Sequence, residues 1–166
     1  YKQAGNLDLD IYSIIIGSLL GDAYAENRTN TRICFQQEDS NKDYLFSLWA
    51  RLSAAGLCSC KKPEGELRGS KIADKKRTVY RFKTYTYADF NWIHFLFYQH
   101  DFSVNKIIKI VPLDIGDYLT PLALAIWFMD DAKRMDYGYS LATNSFTEQE
   151  VEHLCDVLKS KHNFTA

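Results

Sequence analysis

Two stretches of the chain stay apolar for about a helix length and then close on an acidic side chain. The first reads IIIGSLLGDAYAE, Ile14 to Glu26; the second reads LALAIWFMDDAKR, Leu122 to Arg134. Helical spacing predicts one helix over Asp10–Gly21, with Asp10 as N-cap, and another over Asp117–Asp130, with Thr120 as N-cap and Pro121 in the first turn. Ser13, Gly17 and Gly21 recur every four residues, so one side of the first helix is a stripe of small residues where a second helix can approach closely. Its expected partner is the second apolar helix. Between the two, alternation predicts strands over Arg32–Gln37, over Leu57–Lys62 and through RTVYRFKTYTY. Periodicity predicts a helix after Ser40 or Asn41, stopped by Gly56, with Tyr44, Leu48, Leu52 and Ala55 inward, and an aromatic helix over Ala88–His100. Lys106–Pro112 reads as an extended linker and Tyr139–Phe146 as strand-like. Thr147–Lys161 reads as a helix opened by the capping box T-E-Q-E. Helix, strand, helix thus recurs in the second half, which suggests an internal duplication and an α+β fold.

Charge sharpens this picture. The net charge is −1, but residues 61–83 hold nine Lys or Arg against three acids, so that segment is +6 and the remainder −7. Arg77, Val79, Arg81, Lys83 and Tyr85 share one face of the predicted strand, with Tyr80, Phe82, Thr84 and Thr86 on the other. A basic, aromatic face of this kind suits a polyanion, against the plainer reading of a solvated outer face. No run approaches the roughly 18 apolar residues that span a bilayer, so no membrane partner is expected. Cys34, Cys58, Cys60 and Cys155 are too scattered for a disulfide framework, and the four histidines lack zinc-ligand spacing, so reduced, structural thiols are expected. The first residues show no targeting pattern and no initiator Met, and the chain reads as a piece of a longer reading frame.

The chemistry lies in the acids. Asp22 and Asp131 occupy equivalent places in the two apolar motifs, 109 residues apart. A carboxylate at a helix C-terminus is repelled by the free carbonyls there. Two of them suggest that something positive sits between. Two carboxylates with helix-end carbonyls make an all-oxygen donor set suited to Mg²⁺.

In GSLLGDAYAE, KIVP, TPLALAIWFMDDAKR and NSFTEQEVEHL the chain resembles the LAGLIDADG homing endonucleases, single-chain type with two motifs, large organellar subgroup. The resemblance implies pseudo-symmetric αββαββα halves, paired motif helices, and antiparallel sheets that form a saddle over a long double-stranded DNA target. It assigns residues 1–112 to the first half and 113–166 to the start of a second, incomplete one. It implies metal-dependent double-strand cleavage. Asp22 and Asp131 would be the metal-binding catalytic carboxylates, the carbonyls of Gly21 and Asp130 further ligands, and Lys109 a basic group near the cleavage centre. Mg²⁺ would be the cofactor, with Mn²⁺ as a substitute and Ca²⁺ supporting binding without cleavage. The DNA contacts expected are Arg28, Arg32, Gln36, Arg77, Arg81, Lys83 and Tyr85, with Lys61, Lys62, Arg68, Lys71, Lys75 and Lys76 holding phosphates, and Lys133, Arg134, Thr143 and Ser145 in the second half. Arginine reads guanine edges and glutamine adenine edges. Family habit implies an organellar location, mitochondrion or chloroplast, and intron homing.

Two departures stand out. Relatives commonly carry Gly after the second acid; here it is Ala132, which would be strained in a left-handed turn. The second motif helix presents Leu122, Ile126 and Asp130 where the first has small residues, so close approach must use Ala123 or Ala125. The second half also runs only 35 residues past Asp131, so a missing C-terminal part, from the same or a separate chain, is an expected partner. Two other functions compete with the nuclease: an RNA maturase that assists splicing of its host group I intron, and a DNA-binding remnant that no longer cuts.

Overall fold

The computed structural model describes residues 7–69 and 76–165. In chain order the elements are α1 (Leu9–Leu20), β1 (Tyr24–Asn27), β2 (Thr31–Glu38), α2 (Lys42–Ala54), β3 (Gly65–Gly69), β4 (Lys76–Lys83) and α3 (Asn91–Phe97). They continue with β5 (Tyr98–Asp101), β6 (Lys106–Lys109), α4 (Ile115–Tyr118), α5 (Pro121–Asp131), β7 (Ala132–Met135), β8 (Gly138–Leu141) and α6 (Glu148–His162). The first seven give the order αββαββα, and α5 to α6 gives αββα, in an α+β fold. Packing divides the chain into two compact units, one of Tyr1–Ile11 with Asp22–Asn91 and one of Tyr12–Gly21 with Trp92–Ala166.

The first unit is a four-stranded antiparallel sheet in the order β1-β2-β4-β3, backed by α2. Strand alternation sorts its residues into two faces. Ile33, Phe35, Tyr80 and Phe82 lie on the α2 side, where Phe35 stacks on Phe82 at 4.6 Å and Phe46 of α2 meets Tyr80 edge-on at 5.4 Å. Leu45, Leu48 and Leu52 are the buried residues of α2, a stripe rotated from the predicted one; Tyr44 is half-buried and Ala55 lies exposed beyond the helix end. Gly56 follows at φ +73°, the left-handed conformation that ends helices and favours glycine.

Several expectations need correction here. The helix over Asp10–Gly21 starts earlier, at Leu9, and Asp10 is inside it: Asp8 accepts the Asp10 N–H on its side chain and the Ile11 N–H on its carbonyl. Leu57–Lys62 is no strand, only a single bridge from Cys58 to Thr84. The turn-rich segment before β4 contains β3, whose five residues are all exposed, so no alternation of apolar side chains could announce it. Of the cysteines, Cys58 is buried and Cys60 exposed; burial pushes the Cys58 thiol up to about 11, which keeps it protonated and inert.

The second unit is built on the crossing of α5 with the residues of α1 from Tyr12 on. Gly17 faces Ala123 so closely that an added Cβ would lie 2.8 Å from the Ile126 Cβ and 3.0 Å from the Ala123 carbonyl carbon. The close approach therefore uses Ala123, which is fully buried, while Ala125 is exposed. Thr120 caps α5, its Oγ1 accepting the Ala123 N–H at 3.1 Å and donating to Ser13 Oγ at 2.7 Å. Thr120→Ala removes the cap and leaves the buried Ser13 hydroxyl without that partner, an expected loss of about 2 kcal/mol. The thermal midpoint should drop by roughly 4–8 °C; a drop under about 1 °C would show that the cap carries no weight.

The predicted helix over Ala88–His100 ends at Phe97, and the predicted linker after Lys106 is a strand: β5 and β6 pair as a hairpin. Asn105, at φ 50° in the turn, is the residue type most tolerant of that conformation after glycine. Strand character over Tyr139–Phe146 survives only in β8, whose partner β7 begins directly after α5. Ala132 is extended, at φ −81° and ψ 135°, so the strain expected at that position does not arise. The capping box of α6 is present, with Thr147 and Glu150 bonding reciprocally. The same Glu150 carboxylate accepts the Val111 N–H at 2.7 Å, tying α6 to the segment after β6.

Candidate nucleic-acid interface and carboxylate centre

The sheet face away from α2 collects the basic side chains. Register places Gln36 opposite Arg81, Cys34 opposite Lys83, Arg32 opposite Glu26 and Arg68 opposite Arg77. Three arginines are held by acceptors on a neighbouring strand. Arg32 pairs with Glu26, Arg77 donates to Glu38 at 2.7 Å, and the Arg81 Nε donates to Gln36 Oε1 at 2.6 Å. The two ion pairs are half open to solvent, so each contributes at most about 1 kcal/mol to the fold and yields readily to a phosphate or a base. Cys34 on this face is held above the usual thiol range by burial and by the Glu26 carboxylate, so it presents a neutral thiol. Beside this face a groove of about 360 Å³ is lined by Lys61, Lys62, Glu64, Glu66, Arg81 and Lys83, among others. Lys61 pairs with Glu64, and the Lys62 ammonium sits 4.1 Å over the Phe46 ring.

Not every expected contact residue belongs to this face. Arg28 is exposed in the β1–β2 turn. Tyr85 lies past the end of β4, where its N–H donates to the Leu57 carbonyl. Lys71 and Lys75 lie outside the described residues, and Lys76 is the first residue of β4. In the second unit Lys133 and Arg134 are exposed on β7, opposite Ser140 and Tyr139. Thr143 and Ser145 are not on a strand, as alternation had suggested, but in the turn before α6.

The acids are each oriented within their own unit. In the first, Asp22 is exposed and its Oδ2 accepts from Gln37 Nε2 at 2.8 Å. Gln37 Oε1 in turn accepts from Asn41 at 3.4 Å. Asp22 lines a polar cleft of about 330 Å³ with Gln36, Gln37, Glu38, Ser40 and Asn41. Sequence reading gave Gln37 no role; its signal is a polar side chain on the strand face that carries Ile33 and Phe35, buried to 6% exposure. In the second unit, Asp131 ends α5, its Oδ2 accepting from Trp127 Nε1 at 3.2 Å and its carbonyl from the Ala142 N–H at 3.1 Å. The Asp130 side chain packs on Gly21, where an added Cβ would lie 2.5 Å from its own Cβ. Lys109 donates to the Gly21 carbonyl at 3.3 Å. The Lys109 ammonium thus lies at the C-terminal end of α1, where the helix dipole favours a positive charge.

Among the described residues no three His, Cys, Asp or Glu side chains gather as a metal site. The donors present are carboxylates and carbonyls, hard oxygens that suit Mg²⁺, an ion that binds through one or two carboxylates and completes its shell with water and substrate phosphates. No helix is long and apolar enough to cross a membrane among the described residues.

The sequence profile of the LAGLIDADG DNA endonuclease family matches residues 12–166. Cytochrome b mRNA maturase bI2 of Saccharomyces cerevisiae is 41% identical over 165 residues, covering 98% of this chain and 39% of that protein. The protein of the same name from Debaryomyces hansenii is 41% identical over 160 residues, covering 95% of this chain and 58% of that protein. This chain thus spans less than two thirds of either relative. Among solved structures, the homing endonuclease I-WcaI bound to its DNA recognition sequence matches with a TM-score of 0.80 and 25% identity, over 98% of this chain and 70% of that one.

Proposed function

This chain belongs to the LAGLIDADG DNA endonuclease family, and on that footing we propose that it acts in the recognition and metal-dependent double-strand cleavage of a long DNA target. The observation that carries this reading is the solvent-facing sheet surface on which Arg32, Gln36, Arg68, Arg77, Arg81 and Lys83 lie together. A twisted antiparallel sheet with basic side chains on one face fits a major groove, with lysines and arginines on phosphates and the remaining side chains at base edges. Residues 1–112 form the first repeat in this proposal and 113–166 the start of the second.

Asp22 and Asp131 are the proposed metal ligands, with the carbonyls of Gly21 and Asp130 as further oxygen donors. Bound there, Mg²⁺ would lower the pKa of attacking water and stabilise charge on the leaving oxygen; Mn²⁺ should substitute. Gln37 and Trp127 each donate to one oxygen of these carboxylates, which fixes the direction in which each acid points. Lys109, seated on the Gly21 carbonyl, supplies positive charge for the phosphate as negative charge builds on it.

The maturase is the second reading, and the two yeast relatives, named as maturases of cytochrome b mRNA, favour it. In that reading the basic face takes up intron RNA, and retention of both acids has no bearing on function. Either reading is consistent with an organellar intron as the origin of the chain. One experiment separates them: incubate a randomised duplex library with the protein in Mg²⁺ and in Ca²⁺, and measure binding to candidate intron RNA in parallel. Double-strand cuts at one long site in Mg²⁺, with binding alone in Ca²⁺, are the expected result. RNA binding and assisted splicing without any cut would replace the nuclease by the maturase.

A further inference from the structure

We propose that Gln36 and Arg81 form a single base-reading unit that selects guanine or thymine and turns adenine away. The inference rests on the duplex-DNA reading above. Considered singly, Gln36 should read adenine, because its amide offers one acceptor for the N6 amino group and one donor for N7. The structure removes half of that pattern. The two residues face each other across β2 and β4, and the Arg81 Nε donates to Gln36 Oε1 at 2.6 Å. Only a carbonyl oxygen can accept that proton, so the amide orientation is fixed chemically. The second lone pair of Oε1 stays beside a full positive charge, which repels the partly positive amino hydrogens of adenine or cytosine.

What remains is a set of donors. Gln36 keeps its NH₂ group, and Arg81 keeps the paired Nη groups at the end of its fork. Among the described residues neither set has another hydrogen bond. Two parallel N–H groups match O6 and N7 of guanine, and a lone amide donor matches O6 of guanine or O4 of thymine. Two of the neighbouring carboxylates on this face are engaged by arginines, Glu26 by Arg32 and Glu38 by Arg77, while Glu66 lies opposite Val79 on β3. At the Gln36–Arg81 pair the outward groups are donors, and bases that present acceptors fit them.

The test is the enriched sequence in a randomised duplex selected by binding without Mg²⁺, for this protein and two variants. The protein itself should select guanine at one position and guanine or thymine at its neighbour, each at least about tenfold over adenine. Arg81→Leu frees Oε1 and should shift the Gln36 position to adenine while the adjacent guanine loses its selection. Gln36→Glu keeps the pair but replaces the outward donor by an acceptor, and should shift that position to cytosine. Both residues are half-exposed, and unchanged thermal midpoints would show the fold intact. Selection of adenine by the unsubstituted protein, or two variants that leave every position unchanged, would overturn the unit while leaving DNA recognition in place. If the unsubstituted protein enriches no sequence and holds duplex no better than an unrelated control, the DNA reading itself has failed, and the unit falls with it.

Discussion

Asp22→Asn and Asp131→Asn should each slow strand cleavage by about 10³-fold with DNA affinity unchanged or slightly tighter. The asparagine keeps the shape of the side chain and still offers an oxygen to Gln37 or Trp127, so the local structure should hold. What goes is the negative charge that would hold the metal in the proposed centre, and a metal supplies several kcal/mol of transition-state stabilisation, which is about three powers of ten in rate. Removing an anion near phosphates weakens no contact to DNA, so binding is the internal control. The check is single-turnover cleavage of the selected target, read for both strands separately, beside a binding titration in Ca²⁺. Cleavage within tenfold of the unsubstituted protein would remove that acid from the proposed centre. Loss on one strand only would mean that the acids work independently and share no ion.

Gly17→Ala has the largest expected effect on stability. Alanine is the better helix former by about 1 kcal/mol, so in an open position the change would help. Here the new methyl would meet the Ala123 carbonyl and lie 2.8 Å from the Ile126 Cβ, against a backbone that can yield only by moving α5. Overpacking of this kind costs about 1–3 kcal/mol and occasionally more. With a backbone carbonyl as the obstacle the cost belongs above that range, at about 4 kcal/mol, which less the helix gain leaves a net loss of about 3 kcal/mol, or roughly 6–12 °C in the thermal midpoint. Gly69→Ala is the matched control: among the described residues nothing lies within 4 Å of a Cβ placed there, and the midpoint should not fall. A Gly17→Ala midpoint within about 2 °C of the original would mean that the helix crossing is looser than the structure shows.

The elements that could be read from the sequence were those whose ends carry their own chemistry. Thr120 before Pro121, Thr147 three residues before Glu150, and Gly56 after a helical stripe each announce a boundary through a local hydrogen bond or a special φ. The Ser13, Gly17 and Gly21 stripe announced a close helix partner, and the partner is where it was expected. Strands that exist through pairing alone were missed. β3 buries nothing, β5 continues an aromatic helical pattern without a break, and β7 starts where α5 stops. Alternation also overreached at Thr143 and Ser145, where the chain already turns toward α6. At the candidate centre, the acids and basic residues were legible as residue types. Their hydrogen-bond partners were not, because Gln37, Trp127 and Glu38 acquire their roles from neighbours brought in by the fold.

Gln36 and Gln37 are consecutive residues of β2 that point to opposite sides, one paired with Arg81 on the open face and the other holding Asp22. A strand is nearly inextensible along its length, so the two amides cannot shift independently by more than side-chain rotation allows. If Gln36 reads a base as proposed, a poorly matched base that displaces β2 at Gln36 would also displace Gln37, the donor to Asp22. Under that proposal, fidelity in such a protein would need no hinge between domains; it would follow from one peptide bond being shared by the proposed reading residue and the residue that holds the proposed metal ligand.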